Sequence, residues 1–468
     1  MKKIWCLILA AVLLLSLCAC APQDGAKTPS FQVGYGKADI TPKNTNGVIL
    51  GGHAQRESTG LLEYLYAIVV AMTDAEGNTL LLITSDLSGD NEYALAEAAR
   101  KAINKKFGIP QDHIMVGATH NHNAPNTAKS ENAAYVQLWQ ERVLEAVQAA
   151  LDDRKPAKMY ITTTETENLT FTRRYWLENG KLRGDNYNYM EESPIKEHES
   201  QADQEMQLVK FTREGGKDVI LMNWQAHAHK LGYSTEISTD YPGPFRDAVD
   251  KALDCYSVFY QGAAGNLNPR SEIKGEDTFA VGEYRALGKK LSEYVVAAQS
   301  NMTEVQTGKI QVKQIQYEGT VNHTQDNLAS YCQQIADRYK STGDQPDSID
   351  FGMQWGIYGH MEASAILYRM RFGQTATIEL DAISIGDVSF VTMPVEFFDT
   401  TGKQIKDQTP FEMTILMGHT NGDGRYVPTQ QGYANGGYEA YNSIFVPGTA
   451  EECVEEYLKA LNELHKTK

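Results

Sequence analysis

Cysteine is nearly missing from the body of this chain. Of six cysteines in 468 residues, Cys6, Cys18 and Cys20 sit in the first twenty positions. The others, Cys255, Cys332 and Cys453, are widely spaced and odd in number, which excludes a disulfide framework or a Cys-based zinc site. Any metal must therefore be held by histidine and oxygen ligands. Positive charge is also scarce: 43 Lys and Arg against 60 Asp and Glu give a formal net charge of −17. Without a basic footprint, nucleic acid and anionic membrane surfaces are excluded as electrostatic partners. No apolar run is long enough to span a bilayer.

One short apolar run does occur. Lys2 and Lys3 precede Ile4 to Leu17, and the run closes on Leu17-Cys18-Ala19-Cys20. This is a secretory signal, to be left out of fold reasoning. It resembles bacterial lipoprotein signals, in which the cysteine after the cleavage point, here Cys20, is acylated. An ordinary secretory peptide cleaved after Ala19 or Ala21 is the alternative. The expected organisation is a signal over 1–20, a tether over 21–32 and one large domain over 33–468. The implied location is extracytoplasmic, on the cell membrane through lipidated Cys20.

What remains alternates strands and helices. Val33 to Thr41, Leu65 to Thr73, Asn78 to Thr84 and Ile114 to Ala118 read as strands, with an Ala-rich helix over Glu92 to Phe107. Gly34 and Gly36 invite a phosphate-loop reading, but the remaining spacing and the Lys-Ser/Thr pair do not follow. A helix over Ala133 to Asp152, a hairpin of Gln207 to Phe211 with Val219 to Trp224, and a strand over Val258 to Gln261 come next. Residues 173–204 read as polar and turn-rich. After a helix at 281–300 and a strand at 310–318, residues 326–370 read as helical, broken at 343–350. The hairpin of Ala376 to Ile385 with Val388 to Thr392, a strand at Thr414 to Met417 and a helix at Glu451 to Leu464 complete the chain. The expected fold class is α/β, with mixed β-sheets and flanking helices.

The same event recurs at the strand ends. Apolar runs stop, and polar or ionisable residues appear at once: Asp86, His120 and His122, His227 and His229, Asn266 and Asn268, Glu396, Asn421. Six such ends predict a shared site at one edge of the sheet. In Thr119-His120-Asn121-His122, both imidazoles fall on one face if the strand continues. His-x-His there is half of a metal site.

These stretches resemble the neutral/alkaline, non-lysosomal ceramidases, in their N-terminal catalytic domain. The matching segments are Gly34 to Pro42, Thr119 to Pro125, Asn223 to His227 with Ser238 to Gly243, Met393 to Phe397, Asn421 to Thr429, and Gly437-Tyr438-Glu439. Carried over position by position, the resemblance implies zinc held by His120, His227, Glu396 and Tyr426. His122 and His229 become candidates for orienting a ligand or relaying a proton, and Tyr438 and Arg173 for stabilising an oxyanion. A solvent-facing His229 and a surface salt bridge for Arg173-Arg174 are the plain alternatives.

One departure bears on mechanism. Where the family has Gly-Asp-x-Ser-Pro-Asn, this chain has Gly265-Asn266-Leu267-Asn268-Pro269-Arg270. Asn268 cannot act as an alkoxide nucleophile, so a serine-acyl route is excluded there and metal-activated water is not. From its length, the chain is expected to lack the β-sandwich domain that long ceramidases append. The expected function is zinc-dependent hydrolysis of an amide bond (N-acyl, with ceramide-like lipids among the candidates) or an ester. The substrate would be a small-molecule or lipid-like acyl compound. Two competing readings are a non-catalytic binding lipoprotein that keeps the metal pocket, and a metal-dependent phosphoesterase using Asp86 and Asp240 as extra ligands.

Overall fold

Strands that are apolar on both faces require a sheet covered on both sides. The computed structural model describes residues 30–468 apart from 53–55, 90–91, 185–192, 271–282, 343–354, 356, 358 and 423–424. The signal segment, Cys20, the tether up to residue 29, the expected break at 343–350 and Asp423-Gly424 lie outside the described residues.

The larger sheet runs Tyr256–Gln261, Val219–Trp224, Glu205–Arg213, Lys155–Glu165, Gln32–Asp39, Tyr66–Thr73, Thr79–Ser85, Ile114–Ala118, with Thr303–Val305 also pairing to Lys155–Glu165. A second sheet runs Ile310–Thr320, Thr375–Ile385, Val388–Met393, Met413–Gly418. The two pack face to face: Val70, Met72, Met115 and Phe211 of the first share a buried cluster with Ile383, Phe390, Ile415 and Met417 of the second. Helices cover the outer faces. Glu92–Phe107 and Ala133–Asp152 bury Ala99, Trp139, Val143 and Val147 against Val69, Ile83 and Val116. Pro242–Leu253 and Tyr284–Ala298 cover the other half, and Asp399–Gln408 with Thr449–His465 cover the second sheet. The order is helix, sheet, sheet, helix.

Alternation explains both faces of each inner strand. In Ile114–Ala118, Ile114, Val116 and Ala118 face the helices while Met115 faces the second sheet. Each such side chain contributes about 1.5–3 kcal/mol when fully buried. Ile310–Thr320, at the edge, instead alternates with Gln, Lys and Glu and is half exposed, as a guarded edge should be. Gly34 and Gly36 have a packing reason: a Cβ at either would strike the carbonyl of Ala150 or Ala146, so they let helix Ala133–Asp152 lie directly on the strand.

Two stretches differ from expectation. The polar region 173–204 contains a small sheet of Leu182–Gly184, Arg174–Leu177 and Ile195–His198. Asn46–Leu50 and Arg56–Leu61 pair as a further ribbon. Their strands are only three to six residues long, too short for the sustained apolar alternation that marks a strand in a sequence.

The topology matters because the two main sheets hold three parallel pairs: Thr79–Ser85 with Ile114–Ala118, Val219–Trp224 with Tyr256–Gln261, and Val388–Met393 with Met413–Gly418. The six strand ends singled out in the sequence are the carboxyl ends of these six strands.

Candidate functional site

His120 follows the first parallel pair. The strand stops at Ala118 and does not carry on through the histidines; His120 has φ of 59°, in the left-handed region. That conformation costs a non-glycine residue on the order of 1–2 kcal/mol. His419 and Asn421 share it, with φ of 49° and 60°. Three of the six non-glycine residues with positive φ among the described residues thus stand where the strand ends meet. The two imidazoles converge through this turn and not through strand periodicity: their rings stand nearly perpendicular, centroids 4.6 Å apart, with Nε2 atoms at 3.1 Å. Gly52, at φ of 76°, lies flat on the His122 ring, where any Cβ would collide with it.

Backbone bonds stitch the segments together. The His122 N–H donates to Ala228 at 3.0 Å, Ala118 to His419 at 3.1 Å, and Glu396 to Arg425 at 2.8 Å. Asn421 accepts from the Val116 N–H at 2.9 Å and donates to Asp381 at 2.9 Å. Glu396 and Tyr426 lie directly opposite each other on a two-residue parallel ladder, which turns both side chains to one face.

The proton positions follow from the partners. His120 Nδ1 contacts the Ser88 carbonyl at 2.7 Å and His227 Nδ1 the Leu267 carbonyl at 3.0 Å. A carbonyl only accepts, so each Nδ1 carries the hydrogen and each Nε2 presents a lone pair. Both lone pairs face one carboxylate oxygen: Glu396 Oε2 is 3.2 Å from His227 Nε2 and 3.9 Å from His120 Nε2. His227 Nε2 and Glu396 Oε2 are buried and have no hydrogen-bond partner. A shared proton would bridge one of these contacts; a cation would satisfy all three atoms. Donor atoms bound at 2.0–2.2 Å to one tetrahedral ion lie roughly 3–4 Å apart, which is the spacing here. Two overlapping groups, His120 with His122 and His227, and His120 with Glu396 and His419, offer ligand atoms all within 4.8 Å of one another.

Electrostatics agree. Burial pushes the imidazole of His120 down to about 4, and burial followed by Arg173 drives His227 well below its ordinary value. Both rings are neutral, as a metal ligand must be. Burial pushes Glu396 up to about 8, against the pull of Arg173. Tyr426 is raised well above 10, by burial first and then by Glu396. Burial thus disfavours the charged form of Glu396 while two imidazole lone pairs face it.

Arg173 is fully engaged and buried, which removes the surface salt-bridge reading. Its Nε donates to Glu439 at 2.9 Å, and its Nη2 to Gly265 at 2.9 Å and to the Tyr426 hydroxyl at 3.0 Å. Its Nη1 approaches Asn268 Oδ1 at 3.5 Å. Arg174 donates to the other oxygen of Glu439 at 2.8 Å and to Glu199. The two arginines lower the pKa of Glu439 despite its burial. Asn268 Oδ1 also accepts from His229 Nε2 at 3.0 Å, so Asn268 links His229 to Arg173. His229 is buried, not solvent-facing. Asn266 is structural, exchanging two hydrogen bonds with Asp399.

A cavity of about 580 Å³ opens over this cluster, and His120, His122, Glu396, His419, Tyr426 and Tyr438 all contribute to its wall. Tyr438 packs edge-on against Tyr426, centroids 5.4 Å apart. Asp86 and Asp240 do not reach it. Asp86 makes a buried two-point pair with Arg246 at 2.8 Å, and Asp240 accepts the N–H groups of Leu231 and Tyr241 at 2.7 Å. Two participants carried no expected role: His419, and Glu439, which entered only within the matched Gly437-Tyr438-Glu439 segment. His419 stacks on His120 at 3.8 Å and stands at the same strand end as Asn421, so its position was the available signal.

The fold is that of neutral ceramidases. The crystal structure of neutral ceramidase from Pseudomonas aeruginosa superposes with a TM-score of 0.70 at 16% identity, over 94% of this chain and 75% of that one. A ceramidase complexed with C2 gives 0.68 at 15% identity, over 94% and 76%. Residues 31–254 match the family model described as neutral/alkaline non-lysosomal ceramidase, N-terminal. A neutral ceramidase from Drosophila pseudoobscura pseudoobscura is 24% identical over 120 residues, 25% of this chain and only 17% of that protein's length. The resemblance to the neutral/alkaline, non-lysosomal ceramidases is therefore matched by the family model for the motifs within 31–254, and by the fold over 94% of the chain. The three free cysteines among the described residues are buried, in keeping with a site built without them.

Proposed function

We propose that the chain is a zinc-dependent hydrolase of an amide or ester bond, with His120, His227, Glu396 and Tyr426 as the metal ligands. The observation that carries this reading is the trio of His120 Nε2, His227 Nε2 and Glu396 Oε2, buried and facing one another, with His227 Nε2 and Glu396 Oε2 lacking any hydrogen-bond partner. When bound there, zinc supplies a Lewis acid that polarises a carbonyl and lowers the pKa of a water. The protein's own residues do the rest. His122, lining the cavity beside His120, accepts the proton of the attacking water and returns it to the leaving group. Tyr438 donates to the oxygen that becomes negative.

Arg173 has its donors committed to Glu439, Gly265 and Tyr426, so it acts as a positioning residue for the Tyr426 hydroxyl. Asn268 positions His229 and Arg173 and is not a nucleophile. Residues 1–20 are proposed to be a lipoprotein signal, with Cys20 as the membrane anchor. The acyl substrate is a small molecule or a lipid, and the ceramidase relatives favour an N-acyl bond.

The test is turnover of a panel of N-acyl and ester substrates by wild type, Asn268→Ala and Asn268→Ser. Wild type is expected to hydrolyse at least one, chelation to abolish that activity, and Asn268→Ala to reduce it without eliminating it. A zinc-loaded wild type inert on the whole panel, beside an active Asn268→Ser, would support the binding-protein reading, for which the asparagine at 268 speaks.

A further inference from the structure

The cavity has a charge that the chain does not. The chain carries a formal net charge of −17, yet the only carboxylate on the described cavity wall is Glu396, at its floor. The opposite wall is helix His360–Arg369 and the turn after it, and here the wall includes Arg371 and, from the segment before Tyr426, Arg425. Both guanidinium groups lie over a single aromatic ring. Arg425 Cζ is 3.9 Å from the Tyr368 centroid and Arg371 Cζ is 5.6 Å from it. The Arg371 N–H also donates to the Tyr368 carbonyl at 3.0 Å, fixing the turn that carries it. Stacking on a ring holds a guanidinium in place while leaving its edge donors available.

These two differ from the other arginines of the site. Arg173 and Arg174 are saturated by Glu439, Glu199 and carbonyl oxygens. Arg371 and Arg425 are paired with no carboxylate among the described residues, while their side chains converge on Tyr368 at the cavity wall. Arg425 is adjacent in sequence to Tyr426, and its backbone carbonyl accepts from Glu396 at 2.8 Å. A group bound by these arginines thus lies within one small substrate's length of the histidine cluster.

We infer that Arg371 and Arg425, mounted on Tyr368, form a subsite for an anionic oxygen group on the substrate: a carboxylate, sulfate or phosphate attached to the N-acyl or ester compound. Guanidinium is suited to this because its fork pairs two oxygens at once and its charge is permanent. The inference rests on the hydrolase reading for the scissile bond but not for the binding itself. It predicts that anionic compounds are preferred to neutral ones of equal length, and that the preference resides in KM.

The test uses ligands that cannot be hydrolysed: decyloxyacetate, 2-decyloxyethylphosphonate and neutral 2-decyloxyethanol, titrated calorimetrically into the zinc-loaded full chain. At least one anion should bind about 10- to 100-fold tighter than the alcohol, the worth of a charge-assisted contact. Which anion wins separates a carboxylate from a phosphate substrate. Arg371→Gln, at an exposed position, should lose part of that advantage, and Arg371→Gln with Arg425→Gln should lose it entirely while still binding zinc. Equal binding of all three ligands would overturn the subsite, as would a double variant that keeps the preference, since the metal alone would then explain it. Anion preference in a protein that hydrolyses no N-acyl or ester compound would leave the subsite standing and sink the hydrolase. Turnover of neutral N-acylethanolamines without any anion preference would do the reverse.

Discussion

Glu396 and Glu439 are both buried, both within the field of Arg173, and opposite in condition. Glu439 gives one oxygen to Arg173 and the other to Arg174, and its pKa is lowered. Glu396 faces two imidazole lone pairs, and its pKa is pushed up to about 8. The first cluster is complete within the protein. The second is complete only when something positive enters. A buried polar group with its partners in place is architecture, whereas one held in strained backbone without them marks where a ligand belongs.

The largest expected effect breaks the complete cluster. Glu439→Ala leaves two buried guanidinium groups without their shared partner and should cost about 3–5 kcal/mol in denaturant unfolding, with or without zinc. Glu439 also sets a pH dependence. Its folded pKa is depressed, so its contribution is present above the unfolded value of about 4.3 and is lost as pH falls through the folded one. Glu439→Gln should remove that acid-side loss from the stability profile; a profile unchanged from wild type would contradict the pairing.

Glu396→Gln should do something different. Removing the charge relieves the facing lone pairs, so stability without metal should hold or rise. Wild type should gain about 2.7 kcal/mol at zinc one hundred times its dissociation constant, and the variant should gain nothing. A variant destabilised without metal as strongly as Glu439→Ala would erase the contrast between the two glutamates.

The smallest effect falls on the histidine behind the cluster. His229→Ala removes the contact to Asn268 but none of the proposed ligands. Zinc should stay bound while turnover falls about 10- to 100-fold. Zinc loss equal to that of His227→Ala would move His229 into the ligand set.

Much of this was legible in the sequence because burial on both faces leaves continuous apolar runs, and these ended where the site residues began. Ile114 to Ala118 and Val219 to Trp224 are of this kind, and they deliver His120 and His227. The small sheet at 174–198 was not legible, since its strands are only three or four residues long and Arg174 in its central strand is held by Glu439 far along the chain. A surface salt bridge stayed open as the alternative for Arg173 for the same reason: its buried partner, Glu439, is 266 positions away. The phosphate-loop look of Gly34 and Gly36 dissolved into helix packing. The convergence of His120 and His122 was expected from strand periodicity but comes from a left-handed turn, which no local pattern announces.

The central claim is that one zinc ion belongs among His120, His227, Glu396 and Tyr426, and zinc content per chain after reconstitution and exhaustive dialysis tests it most directly. One ion per wild-type chain, with little or none in His227→Ala and Glu396→Gln variants that remain folded by circular dichroism, is the predicted result. A wild type that retains no zinc, or variants that retain as much as wild type, would contradict it.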